Sequence, residues 1–118
     1  MTKPLAFIIE DDPHLSQIFG LTLGESFTTE VITDGTQALE QLSKTVPVLI
    51  VLDINLPGAS GAQILKSIRA DSRFDATRVI IATASPRQAD ELQDMADIIL
   101  LKPISTAQLR ELASRLSL

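Results

Sequence analysis

Four short, uninterrupted apolar runs punctuate this chain, at Leu5–Ile9, Val48–Leu52, Val79–Ala82 and Ile98–Leu101. A strand that is apolar at every position has to be covered on both faces, the condition of a parallel sheet held between layers of helices. A fifth, weaker strand, Phe27–Thr33, is rich in threonine and β-branched residues. Between the runs the apolar spacing changes to three and four. His14–Leu23 carries Leu15, Ile18, Phe19 and Leu23; Thr36–Lys44 carries Leu39 and Leu42; Ala62–Ala70 carries Ile64, Leu65 and Ile68. Thr106–Leu116 carries Leu109, Leu112 and Leu116, whereas Pro86–Ala96 offers only Leu92 and Met95 besides alanines. Asp12-Pro13 reads as an N-cap followed by proline at the first helical position. Ser105 to Gln108 has the spacing of a capping box, and Asp34-Gly35 marks a turn. The order is βα repeated five times, which specifies an α/β fold with a parallel sheet and helices on both faces.

Composition narrows what such a fold can do. At 118 residues the chain is expected to be one domain, spanning 1–118. Fifteen Asp and Glu against ten Lys and Arg leave a formal charge of −5, unsuited to neutralising a nucleic-acid backbone directly. The absence of cysteine excludes disulfides, thiolate metal sites and a cysteine nucleophile, and the one histidine, His14, excludes a two-imidazole site. No apolar run approaches the roughly 20 residues of a membrane span. Without a basic, cleavable leader, a cytoplasmic location is expected, with no membrane contact.

The polar residues that end the apolar runs carry the chemistry. In an open parallel sheet, sites gather beyond the carboxyl ends of the strands. Those ends are Glu10-Asp11-Asp12 after the first strand, Asp53 after the third, Thr83 after the fourth and Lys102 after the fifth. In a sheet of order 2-1-3-4-5, the first and third strands are neighbours roughly 4.8 Å apart, and Asp11 faces Asp53. Lys102 then lies roughly 10 Å from Asp53 in the sheet, a gap that its long stem and the sheet twist can close. Clustered carboxylates repel, and a hard divalent cation with oxygen ligands relieves them. Mg²⁺ takes few protein carboxylates and keeps waters, which leaves room for a phosphoryl oxygen. A carboxylate beside a metal, a hydroxyl and an ammonium is suited to attack on phosphorus.

The segments Phe7-Ile8-Ile9-Glu10-Asp11-Asp12-Pro13, Val51-Leu52-Asp53-Ile54-Asn55-Leu56-Pro57-Gly58, Ile80-Ile81-Ala82-Thr83-Ala84 and Leu100-Leu101-Lys102-Pro103 resemble the receiver domain of two-component response regulators. The resemblance covers essentially the whole chain. It implies a flavodoxin-like sheet of five parallel strands in the order 2-1-3-4-5. It further implies that Asp53 accepts a phosphoryl group from a histidine kinase or histidine phosphotransfer protein. Glu10, Asp11, Asp53 and the Asn55 backbone carbonyl are implied to hold Mg²⁺, with Glu10 acting mostly through water. Thr83 is the implied switch hydroxyl and Lys102 the phosphate-binding lysine, with a cis Lys102-Pro103 peptide. The implied output is a shift of the helix-four, strand-five and helix-five surface toward a partner protein or effector domain. No enzyme activity is expected beyond self-phosphorylation and self-dephosphorylation. Two positions depart from the pattern: Ile99 stands where the family often has Tyr or Phe, and Met95 where it commonly has Gly. Leu112 replaces an Arg common in receivers that dimerise through that surface.

Three other readings compete. A flavin-binding protein of this fold would need a Ser/Thr/Gly-rich loop after the first strand and aromatics to sandwich the ring, but Glu-Asp-Asp stands there and Trp and Tyr are absent. An aspartyl phosphatase would need a D-x-D motif after the first strand, whereas Asp53-Ile54-Asn55 follows the third and lacks the second Asp. A degenerate receiver would have lost some of the five charged and hydroxyl residues that are all present here. Singly these residues are ambiguous: Asp12 reads as a cap, His14 as a surface histidine, and Gly35, Gly58 and Gly61 as turn and helix-entry residues.

Overall fold

The computed structural model describes residues 3–116. Strand and helix alternate as β1 (Leu5–Ile9), α1 (Pro13–Leu23), β2 (Thr28–Ile32), α2 (Gly35–Lys44), β3 (Leu49–Asp53), α3 (Gly61–Arg69), β4 (Arg78–Thr83), α4 (Pro86–Leu92), β5 (Ile98–Leu101) and α5 (Thr106–Leu116). The sheet has five strands in the order β2-β1-β3-β4-β5, every neighbouring pair parallel. This is the expected α/β architecture. Residues 1, 2, 117 and 118 and the side chains of Ala113 and Leu116 lie outside the described part. None of the described helices is long and apolar enough to cross a membrane.

The continuous apolar runs are apolar because both sheet faces are covered. Phe7, Ile9, Ile50, Leu52, Val79 and Ile81 pack toward Leu42, Ile64, Leu65, Ile68 and Leu92 of α2, α3 and α4. The alternate residues Ala6, Ile8, Leu49, Val51, Ile80 and Leu100 pack toward Phe19, Leu23 and Leu109 of α1 and α5. The period of two along a strand thus assigns each position to a helical layer. Phe74, whose partner is not evident from its loop position, sits in a 3₁₀ turn (Ser72–Phe74), buried in the first of these layers under the Arg73 guanidinium.

Local chemistry sets the element ends. The Asp12 carboxylate accepts from the His14 and Leu15 amides and starts α1, with Pro13 in the first turn. The Asp34 carboxylate does the same for α2. The reciprocal capping box occurs at Ser60 and Gln63 of α3. At Ser105 the hydroxyl accepts from the Gln108 amide, and the return bond is absent among the described hydrogen bonds. Helix α4 ends at Leu92, four residues short of the expected Ala96. Asp97 explains this: its amide donates to the Val79 carbonyl at 3.0 Å and its carboxylate accepts from the Val79 amide at 2.7 Å. That clamp fixes the entry to β5, so the chain has to leave the helix early.

Candidate functional site

Glu10 and Lys102 follow the last residues of β1 and β5, and Asp53 and Thr83 end β3 and β4. All four therefore lie on the carboxyl edge of the sheet. Carrying the strand period on by one residue gives Glu10, Asp53 and Lys102 the parity of the α1/α5 layer. Thr83 has the parity of the α2–α4 layer. The three charged groups accordingly meet one another, and the hydroxyl meets α4.

The carboxylates converge. Glu10, Asp11 and Asp53 each place an oxygen within 4.8 Å of the others, with Glu10 and Asp53 buried and Asp11 exposed. The Lys102 ammonium donates to Glu10 Oε1 at 2.9 Å and lies 3.5 Å from Asp53 Oδ1. The stem of Lys102 thus spans the two intervening strands. The other Glu10 oxygen, Oε2, accepts the Asp12 amide at 3.3 Å. Burial of Glu10, only 1% exposed, pushes its carboxyl from 4.5 up to about 7. The Lys102 bond opposes this rise, and the neighbouring Asp53 adds to it. Burial lowers the Lys102 ammonium, but Glu10 and Asp53 outweigh it and the net shift is upward.

The loop after β3 is shaped around Asp53. The Asn55 amide donates to Asp53 Oδ1 at 3.3 Å. Gly61 passes so close that a Cβ there would lie 2.4 Å from the Asp53 carbonyl oxygen and 2.5 Å from Ile54 Cα. Gly58 turns the loop at φ +75°, a conformation that side chains disfavour. A larger residue at Gly61 would displace the backbone of Asp53 itself.

Thr83 is fully buried. Its hydroxyl accepts the Ser85 amide at 3.1 Å and donates to Gln88 Oε1 at 3.0 Å. Gln88 Nε2 continues the chain of bonds to Asn55 Oδ1 at 3.3 Å. Sequence reasoning missed Gln88, because nothing in the apolar pattern of α4 marks it. The Lys102-Pro103 peptide is cis. Ile99 pairs with Ile81 across the sheet and packs, half-buried, on the α2–α4 core; Met95 packs on the same core. His14 is exposed.

The donor set suits one class of cation. Three carboxylates, with no sulfur or imidazole among them, offer the oxygen-only environment of a hard divalent ion. Glu10 is raised chiefly by burial, with Asp53 adding to it, and a divalent charge held there would favour its ionised form.

Comparison with known proteins identifies the family. The family model described as response regulator receiver domain matches residues 6–114. The DNA-binding response regulator MtrA of Mycolicibacterium smegmatis is 35% identical over 106 residues, covering 86% of this chain and 45% of its own length. The chain therefore spans under half of the curated relatives it matches first. Among solved structures, the chemotaxis response regulator CheY4 of Vibrio cholerae is similar at 25% identity with a TM-score of 0.87, covering 98% of this chain and 99% of that one. The receiver domain of Francisella response regulator 1452 is 29% identical with a TM-score of 0.85, covering 97% and 96%. The chain belongs to the response regulator receiver domain family of two-component signal transduction.

Proposed function

We propose that Asp53 is a phosphoacceptor that takes a phosphoryl group from a phosphohistidine of a histidine kinase or histidine phosphotransfer protein. The observation that carries this reading is the convergence of Glu10, Asp11 and Asp53 on one point, with the Lys102 ammonium 3.5 Å from Asp53. An Asp53 carboxylate oxygen attacks phosphorus, the O–P bond forms, the donor P–N bond breaks, and the imidazole leaves with its electron pair. The product is an acyl phosphate on Asp53.

The chain's own groups have defined parts. Lys102 lies close enough to Asp53 to meet the negative charge of the transferred group. Thr83 supplies one hydroxyl hydrogen to a phosphoryl oxygen. The Asn55 amide holds the Asp53 carboxylate in place. Glu10, Asp11, Asp53 and the Asn55 carbonyl would hold Mg²⁺, which supplies charge neutralisation at the phosphoryl oxygens when bound. The chain turns over no separate substrate: it accepts one phosphoryl group and loses it by hydrolysis.

Phosphorylation then shifts the α4, β5 and α5 surface and so controls a partner protein or an effector domain. The exchange is assigned to the cytoplasm. With a charge of −5, this chain is assigned no direct nucleic-acid contact of its own. Phosphoramidate, which carries the P–N bond of the natural donor, tests the reading. In the presence of Mg²⁺ it should label the parent protein and fail to label Asp53→Asn; equal labelling of both would overturn the assignment.

A further inference from the structure

The sequence Ser85-Pro86-Arg87-Gln88 has the spacing of a capping box, as Ser60 to Gln63 does. At Ser60 the box closes: the glutamine side chain accepts the Ser60 amide at 2.9 Å. At Ser85 only half of it forms, the Ser85 hydroxyl accepting the Gln88 amide at 3.2 Å. The Ser85 amide goes instead to the Thr83 hydroxyl. The Gln88 side chain is thereby diverted from capping its own helix. It bridges Thr83, at 3.0 Å, the last residue of β4, and Asn55, at 3.3 Å, in the loop that follows Asp53.

A hydroxyl has a single hydrogen to give. That of Thr83 is committed to Gln88, and Thr83 is fully buried, so water offers no alternative acceptor. A phosphoryl oxygen on Asp53, on the strand adjacent to β4, is the competing acceptor. The two bonds exclude each other. Gln88 is half-buried, so water can solvate its amide once it is released.

We propose that Gln88 is a positioning residue that acts as a latch on the switch hydroxyl. It holds the Thr83 hydrogen turned toward α4 and ties α4 to the Asn55 loop, so that engagement of a phosphoryl group by Thr83 frees the first turn of α4. This inference rests on the reading of Asp53 as phosphoacceptor. The latch favours the unphosphorylated state and therefore weakens every ligand that needs the Thr83 hydroxyl.

The test is titration with beryllofluoride, a phosphoryl mimic, in saturating Mg²⁺, followed by NMR. Gln88→Met, which keeps the length of the side chain and removes both bonds, should bind it about three- to tenfold more tightly than the parent, the equivalent of one hydrogen bond. Gln88→Ala should do the same. In a Thr83→Ala background the gain should vanish, because no hydrogen is left to release. In the parent, the Gln88 side-chain amide resonances should move on binding. Equal affinity of the parent and both Gln88 variants overturns the proposal, as does an undiminished gain in the Thr83→Ala background. In either case a parent that still binds beryllofluoride leaves the Asp53 reading standing. A parent that binds none overturns that reading and the latch with it.

Discussion

Lys102, just beyond β5, sets its ammonium 2.9 Å from the buried carboxylate of Glu10, just beyond β1, across the two strands that separate them. Removing one member of a buried pair leaves the other uncompensated. Lys102→Met should lower the stability of the metal-free protein by about 3 kcal/mol at pH 8, where Glu10 is otherwise charged. The loss should shrink at pH 5, where Glu10 takes up a proton. Urea unfolding at the two pH values checks this, and an equal loss at both would contradict it.

Glu10 also gives the metal-free fold a pH dependence of its own. Burial raises its carboxyl from 4.5 to about 7, so the folded protein binds that proton more tightly than the unfolded chain does. Its contribution to stability is full below the unfolded value and is lost as pH rises through the folded one. Relative to Glu10→Gln, the parent should lose on the order of 3 kcal/mol between pH 4.5 and pH 7. Parallel stability curves for the two proteins across that window would contradict the assignment.

The Asp53 carboxylate opposes ionisation of the buried Glu10 beside it, so the metal-free fold holds stored repulsion. Asp53→Ala should melt at the parent's temperature or above it without metal. Mg²⁺ should raise the melting temperature of the parent by mass action and that of Asp53→Ala far less. Calorimetry with and without Mg²⁺ distinguishes this from a merely structural role, in which Asp53→Ala melts well below the parent.

Much of this site was legible because the sheet edge is a one-dimensional code. Each apolar run ends in a polar residue, and the order βα repeated fixes which edge those residues share. Strand spacing brings Lys102 toward Asp53, whereas its shorter bond, to Glu10 at 2.9 Å, depends on a choice between two acceptors that spacing does not encode. Other features depend on competition between partners, which spacing does not encode. Ser60, Ser85 and Ser105 all open an S-x-x-Q motif, and the three close fully, divert to Thr83, or bond one way. Gln88 was invisible for that reason. The early end of α4 likewise depends on the Asp97 clamp to Val79, a contact made between the residue before β5 and β4 rather than within the helix.

Ile99 bears on how the signal leaves the site. It lines the groove between α4 and β5 with Ala89, Gln93 and Leu101. Being β-branched, it is stiff at χ1 and has neither ring nor hydroxyl to exchange between inside and outside. On beryllofluoride binding, NMR should show large changes around Thr83 and α4 while Ile99 keeps one rotamer. An inward rotamer flip of Ile99, or loss of the α4 changes in Ile99→Val, would show that the side chain itself is the switch.

The phosphoacceptor assignment is tested most directly by the intact mass of the protein after incubation with acetyl phosphate and Mg²⁺. The parent should gain one phosphoryl group that is lost in base, as an acyl phosphate is. Asp53→Asn should gain none, and Asp11→Ala should gain it much more slowly through loss of a metal ligand. A phosphoryl group that survives Asp53→Asn, or one stable to base in the parent, would contradict the assignment of Asp53 as the nucleophile.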